Sequence, residues 1–184
     1  KITKAGDKQA ICKKLMTVLK KRYKASPAKH DRPVLETMLH AVCLENTNYA
    51  QADAGYENLL KSFHDLNEIR VSSITELEQA FSGLEDAARR ALGIRTILHY
   101  VFEKNYEFEF EVVRRKTLDL ASRQLDKIKN ISTFVRAHTL QVTLGAHLVP
   151  ADDAITNAAV WLGLAEIDAT PAQATAAMKP AVRK

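Results

Sequence analysis

Apolar residues recur at three- and four-residue spacing along most of this chain, and at two-residue spacing over one short stretch only. That period predicts helices. The first spans 7–24, with Ile11, Leu15, Val18, Leu19 and Tyr23 as its buried stripe. Pro27 and Pro33 punctuate a linker over 26–33, and Asp31 is placed to cap the helix that follows, with Pro33 in its first turn. That helix carries Val34, Leu35, Met38, Leu39, Val42 and Cys43 on one face and runs out in the polar cluster Glu45–Asn48. A helix over 49–64 comes next, then a loop over 65–72. Ser73 and Glu76 form a capping box that opens a short helix to about Phe81. Ser82-Gly83-Leu84 breaks it, and the longest helix follows over 85–104, where Gly93 marks a close helix contact.

The single alternating stretch is Asn105–Glu111 (NYEFEFE). A lone strand has no pairing partner, so the expectation is an extended connector whose aromatics pack down. A helix over 112–126 and a turn at 129–132 come next. Phe134–Ala146 is apolar almost all round, which predicts a central buried helix. Pro150 holds Leu148-Val149 extended, Asp152-Asp153 open another helix, and Thr170-Pro171 starts the last. The predicted fold class is all-α, with nine or ten short helices joined by short loops.

Composition narrows the class. The chain has 184 residues, 46% apolar and 27% charged, which excludes a disordered chain and supports a real core. No apolar run approaches a membrane span, and the start, KITKAGDKQA, is too polar for a secretory leader. Cys12 and Cys43 are far apart and each falls in a helical pattern, which predicts two reduced packing thiols in an intracellular protein. Charge is uneven. Residues 1–30 hold ten Lys/Arg and one Asp, a net of +9, while the rest of the chain holds 17 basic and 21 acidic residues, a net of −4. Lys20, Lys21 and Arg22 end the first helix, either as a solvated face or as a contact to a phosphate backbone.

Candidate chemistry concentrates in Leu125–Gly163, a hairpin between two helices followed by a carboxylate at a helix start. Asp152 and Asp153 read either as helix caps or as a catalytic carboxylate. His99, His138 and His147 lack metal-ligand pairing, and Trp161 is expected in the core.

The order of these parts resembles the helix-hairpin-helix DNA glycosylase superfamily, specifically its endonuclease III-like branch. Ile128-Lys129-Asn130-Ile131-Ser132-Thr133-Phe134-Val135-Arg136-Ala137 sits where that family has L-P-G-V-G-x-K-T-A, and Val149-Pro150-Ala151-Asp152-Asp153-Ala154-Ile155 sits at its catalytic V-D-T-H-I-x-R segment. Arg32–Leu35 through Asn48 looks like its P-F-E-L-L…S-A-Q-x-T-D helix and loop, and Gly83-Leu84 with Ala87, Ala91 and Ile94 looks like its G-L-x-x-x-K-A-x-x-I helix. The resemblance covers most of residues 7–165.

The resemblance implies a two-lobed helical fold with a groove between lobes: residues 31–149, including the hairpin at about 125–147, and a second lobe built from 1–30 with 150–184. It implies a monomer that binds double-stranded DNA, flips a damaged base and cleaves its N-glycosidic bond. Asp152 is in catalytic register, Asn130, Ile131 and Ser132 hold a DNA phosphate, and Glu45 and Leu84 fall where the family fills the gap left by the flipped base. Phe134 stands where the lyase branch has its lysine nucleophile, so the implied activity is monofunctional. The hairpin glycines are replaced by Asn130 and Ser132, and the His and Arg after the aspartate by Ala154 and Asn157. These departures keep a second reading open, a relative that recognises DNA structure or damage without cleavage. No cysteine cluster follows Cys43, so no iron–sulfur cluster, other cofactor or metal is expected, and localisation is expected to be intracellular, cytoplasmic or nucleoid-associated.

Overall fold

The computed structural model describes residues 5–23 and 32–182. Among them are ten α-helices, one 3-10 turn and no strand. The chain forms two compact units: a central one, Arg32–Ala146, and a terminal one, Lys1–Asp31 with His147–Lys184. No helix among the described residues is long and apolar enough to cross a membrane.

The central unit is organised around α2 (Val34–Leu44), in which every residue but Glu36 is buried. It packs on α3 (Tyr49–Ser62), α6 (Ala87–Asn105) and α8 (Thr133–Leu144). Met38 and Leu39 are fully enclosed, each stabilising the fold by about 1.5–3 kcal/mol through burial. The predicted cap Asp31 lies outside the described residues. Pro33 occupies the N-cap position, one residue before the helix rather than within its first turn, and makes no side-chain cap bond. The Val34 amide instead donates to Glu111 Oε1 at 2.6 Å. Arg114 binds the other Glu111 oxygen at 2.7 Å and donates to the carbonyls of Arg32 at 2.9 Å and Thr143 at 3.1 Å. One carboxylate and one arginine thus tie the start of α2 to the end of α8.

Several boundaries differ from expectation. Residues 65–72 are not a loop: α4 (Leu66–Val71) forms there, with Asp65 accepting from the Glu68 amide at 2.7 Å. Six residues are too few to show a period, but the cap was readable. The expected helix over 112–126 is split into a 3-10 turn at Glu111–Arg115 and α7 (Leu118–Leu125), because Thr117 caps a new start. The connector before it begins with Tyr106 in a left-handed conformation (φ 56) and 79% exposed, while Phe110 is buried. The Ser73–Glu76 capping box opens α5 (Ile74–Ala80) as its sequence predicts.

In the terminal unit, α9 (Asp153–Trp161) packs on α10 (Pro171–Met178), which opens with the expected Thr170 cap and Pro171. Cys12 of α1 (Ala5–Arg22) joins Ala151, Ala159, Leu164, Ala174 and Met178 in one small core, and Lys8 Nζ donates to the Leu164 carbonyl at 2.8 Å. The predicted stripe of α1 is buried only in part. Ile11 and Leu15 are half-buried, whereas Val18, Leu19 and Tyr23 are exposed. Trp161, expected in the core, is 86% exposed at the end of α9. Both thiols are free and buried, as expected.

Candidate functional site

The hairpin belongs to the central unit. After α7, Ile128 donates its amide to the Leu125 carbonyl and turns its side chain fully inward. Asn130 then takes a left-handed conformation, φ 58. Asn is among the few non-glycine residues that adopt it at low cost, which explains how the turn forms without the expected glycine. Ser132 solves the second position differently. Its backbone is extended (φ −77, ψ 167), and its hydroxyl accepts from the Val135 amide at 3.1 Å as the cap of α8. No left-handed residue is needed there. Ile131, Phe134 and Val135 are buried and hold the turn down, while Lys127, Lys129 and Asn130 are exposed. Arg136 reaches back to the Ile128 carbonyl at 3.3 Å and lies 3.7 Å from Asp126, closing the hairpin from the α8 side.

Gly93 marks the close contact its sequence position predicts. A Cβ there would lie 3.4 Å from the Asn130 carbonyl oxygen and 3.5 Å from Val42. The turn therefore rests on α6, and the Asn130 side-chain amide donates to the Thr96 hydroxyl at 3.4 Å. Beside this contact lies an open pocket of about 310 Å³ whose walls include Glu45, Arg89, Arg90, Asn130, Ile131 and Ser132. Four of the predicted site residues are thereby brought together.

Two adjacent arginines in that wall do different work. Arg90 is 2% exposed, and its guanidinium donates to the carbonyls of Glu85 (2.7 Å), Val42 (2.5 Å), Cys43 (3.0 Å) and Glu45 (2.8 Å). It helps to satisfy the orphan carbonyls at the end of α2, together with the Thr47 hydroxyl, which donates to the carbonyls of Cys43 at 2.8 Å and Leu44 at 3.1 Å. Burial lowers the Arg90 pKa from its ordinary value and pushes the Cys43 thiol up to about 12. Arg89 is half-exposed and holds two carboxylates, Glu45 at 3.1 Å and Asp86 at 3.4 Å. Neither arginine was singled out from sequence, although the pair Arg89-Arg90 lies one turn before Gly93 on the helix that supports the hairpin.

The remaining candidates are elsewhere. Leu84 is half-buried with its tip over the bare backbone of Gly55, where a Cβ would come within 2.7 Å of it, and lines a separate cavity of about 270 Å³ with Gln51, Asn58 and Ala80. Lys20, Lys21 and Arg22 are exposed in the last turn of α1, in the terminal unit. Asp152 is also in that unit. It is 7% exposed, and its Oδ1 accepts from the Ile155 amide at 2.9 Å as the cap of α9. Phe134 is buried and stacked on His138 with centroids 5.7 Å apart. Among the described residues no group of three or more His, Cys, Asp or Glu could hold a metal ion.

No family model matches the sequence, and no curated protein matches it. Solved structures do match the fold. A trapped endonuclease III–DNA covalent intermediate, an estranged-adenine complex, aligns with a TM-score of 0.70 at 16% identity, over 96% of this chain and 78% of that one. The Clostridium acetobutylicum 8-oxoguanine glycosylase/lyase bound to double-stranded DNA, with cytosine opposite 8-oxoG, aligns with a TM-score of 0.61 at 11% identity, over 80% of this chain and 53% of that one. The chain has the all-helical fold of the helix-hairpin-helix glycosylases.

Proposed function

We propose that the protein binds double-stranded DNA as a monomer through the hairpin and acts as a monofunctional DNA glycosylase in base excision. The observation that carries the reading is the hairpin. A left-handed residue at Asn130 leads into the Ser132-capped start of α8, with Lys127 and Lys129 exposed beside it. Backbone amides at a helix start, with cations alongside, suit a DNA phosphate. Leu84 would act where the flipped base leaves its gap, Glu45 would lie beside the bound duplex, and Lys20, Lys21 and Arg22 would add phosphate contacts.

In the reaction, the bond between the sugar carbon and the base nitrogen breaks, and positive charge develops on the sugar. The Asp152 carboxylate is the fixed anion for that charge. Water supplies hydroxyl to the sugar carbon and a proton to the departing base. No lysine stands at Phe134 to form a covalent imine with the sugar, so the strand is left uncut. This chemistry calls for neither a metal nor an iron–sulfur cluster, and it fits an intracellular protein, cytoplasmic or nucleoid-associated.

The alternative is binding without cleavage. It is favoured by one observation: Asp152 already serves as the cap of α9, which accounts for an aspartate there without chemistry. The test is release of free base from duplexes carrying a panel of lesions, by wild type and by Asp152→Asn. Asparagine caps a helix about as well as aspartate, so the variant keeps the fold and loses only the charge. The glycosylase reading expects release by wild type and a loss of at least about a hundredfold in the variant, a typical cost of removing one electrostatic contact to the transition state. A wild type as inert as the variant, yet still binding duplex in a salt-sensitive way, establishes the alternative.

A further inference from the structure

Glu45 is a carboxylate in the wall of the pocket beside the hairpin, where an approaching phosphate would be repelled. We propose that Glu45 is a built-in counter-ion: it occupies Arg89 in the free protein and yields it to a DNA phosphate on binding, so that the hairpin face binds duplex less tightly than its cations alone would allow. This rests on the duplex-binding reading above.

The geometry separates a fixed partner from a movable one. Glu45 is anchored through its backbone, with its amide donating to the Ala41 carbonyl at 3.1 Å and its carbonyl accepting from buried Arg90 at 2.8 Å. Its side chain is only 12% exposed. The Arg89 side chain is 45% exposed, and its only described partners are Glu45 at 3.1 Å and Asp86 at 3.4 Å. Arg90 cannot serve instead, because four carbonyls take up most of its five donors. The two free oxygens of a tetrahedral phosphodiester can accept side by side from Arg89, as those of a carboxylate can, with more charge around them in a duplex. Arg89 can make the exchange because its side chain lies nearly half in solvent, where an ion pair is weakly held. Binding then gains a phosphate contact only by breaking an internal one. The carboxylate left behind faces the duplex and opposes it.

The experiment is fluorescence anisotropy of a labelled duplex, titrated with the full chain between about 50 and 200 mM salt. The proteins are wild type, Glu45→Gln, Asp86→Asn, Arg89→Gln and the Glu45→Gln/Arg89→Gln double variant. Glutamine matches glutamate in shape, and circular dichroism checks each fold. Glu45→Gln is expected to bind several-fold tighter at low salt, because Arg89 then reaches the same phosphate without breaking an internal pair or leaving a carboxylate against the duplex. Asp86→Asn, whose carboxylate is more exposed and farther from Arg89, is expected to gain less. In the Arg89→Gln background the Glu45→Gln gain is expected to vanish. Unchanged or weaker binding by Glu45→Gln overturns the proposal. So does an equal gain without Arg89, which reduces Glu45 to plain repulsion, and so does a larger gain in Asp86→Asn. A wild type that binds no duplex at low salt defeats the duplex-binding reading, and the counter-ion role falls with it. Tight wild-type binding with an inert Glu45→Gln defeats only the counter-ion.

Discussion

Arg89 and Arg90 show how little residue type says about role. They are adjacent on one helix, yet Arg90 is enclosed by carbonyls and Arg89 lies half in solvent between two carboxylates. Removing the Arg90 side chain takes a donor from the carbonyls of Val42, Cys43 and Glu45, although Thr47 still donates to that of Cys43. Each unpaired buried group costs about 1–3 kcal/mol. Arg90→Met is therefore expected to lose on the order of 3 kcal/mol or more in urea unfolding, while Arg89→Gln stays within about 0.5 kcal/mol of wild type, as surface changes usually do. Equal losses in the two variants would sink this division of labour. None of it was legible in the sequence, because Arg90 meets Val42 and Cys43 from more than forty positions away. The local signals were legible: Asn130 suits a left-handed turn and Ser132 suits a cap, and each residue does what its own chemistry allows.

At the scale of elements, the same contrast explains which helices were readable. Ser73–Glu76 and Thr170–Pro171 announce their helices through bonds made within four residues. Period alone misled at 112–126, where apolar residues continue across the break at Thr117. It misled again in α1 and at Trp161: amphipathic spacing says which face is apolar, and nothing about whether a neighbour covers it. The hairpin is the element where local chemistry and tertiary support meet, since the turn at Asn130 rests on Gly93 and Val42. Substitutions there should separate the two contributions. Asn130→Gly keeps the left-handed backbone and is expected to change stability by no more than a few tenths of a kcal/mol, whereas Asn130→Val, whose branched side chain resists φ near 58, should lose about 1–2 kcal/mol. Ser132→Ala should cost about 1 kcal/mol through the lost cap of α8. Urea midpoints read all three, and an Asn130→Val protein as stable as Asn130→Gly would show that the turn imposes no left-handed strain.

For the molecule as a whole, the buried titratable groups of the central unit set a pH window. Burial raises the Cys43 thiol from 9.0 to about 12, against the opposing pull of Arg90 and Arg32. Burial, reinforced by Glu36, also raises Tyr56 above its ordinary 10.0. Both groups hold their protons more tightly when folded, so their contribution is complete below pH 9 and is lost as pH rises from about 9 toward 12. Asp53 acts in the opposite sense. Burial alone would raise its carboxyl, but hydrogen bonds from His40 at 2.8 Å and Arg32 at 3.2 Å outweigh burial and bring it below 3.8. Its contribution is present above that value and is lost as pH falls through the lowered pKa. Stability should therefore hold between about pH 4 and 9, falling above it by up to about 1.4 kcal/mol per pH unit for each proton exchanged, and below it only slightly, because the Asp53 side chain is 48% exposed and its pairs are screened by solvent. Chemical unfolding followed by circular dichroism from pH 5 to pH 11 tests the alkaline limb. Tyr56→Phe keeps the ring and removes the ionisable hydroxyl, so its decline above pH 10 should be shallower than that of wild type. Cys43→Ala should flatten the decline from pH 9 upward, whatever its starting stability. The slope is the readout, because loss of packing lowers the whole curve while loss of a buried proton changes only its tilt. Parallel curves for wild type and both variants would mean that these groups do not set the alkaline edge.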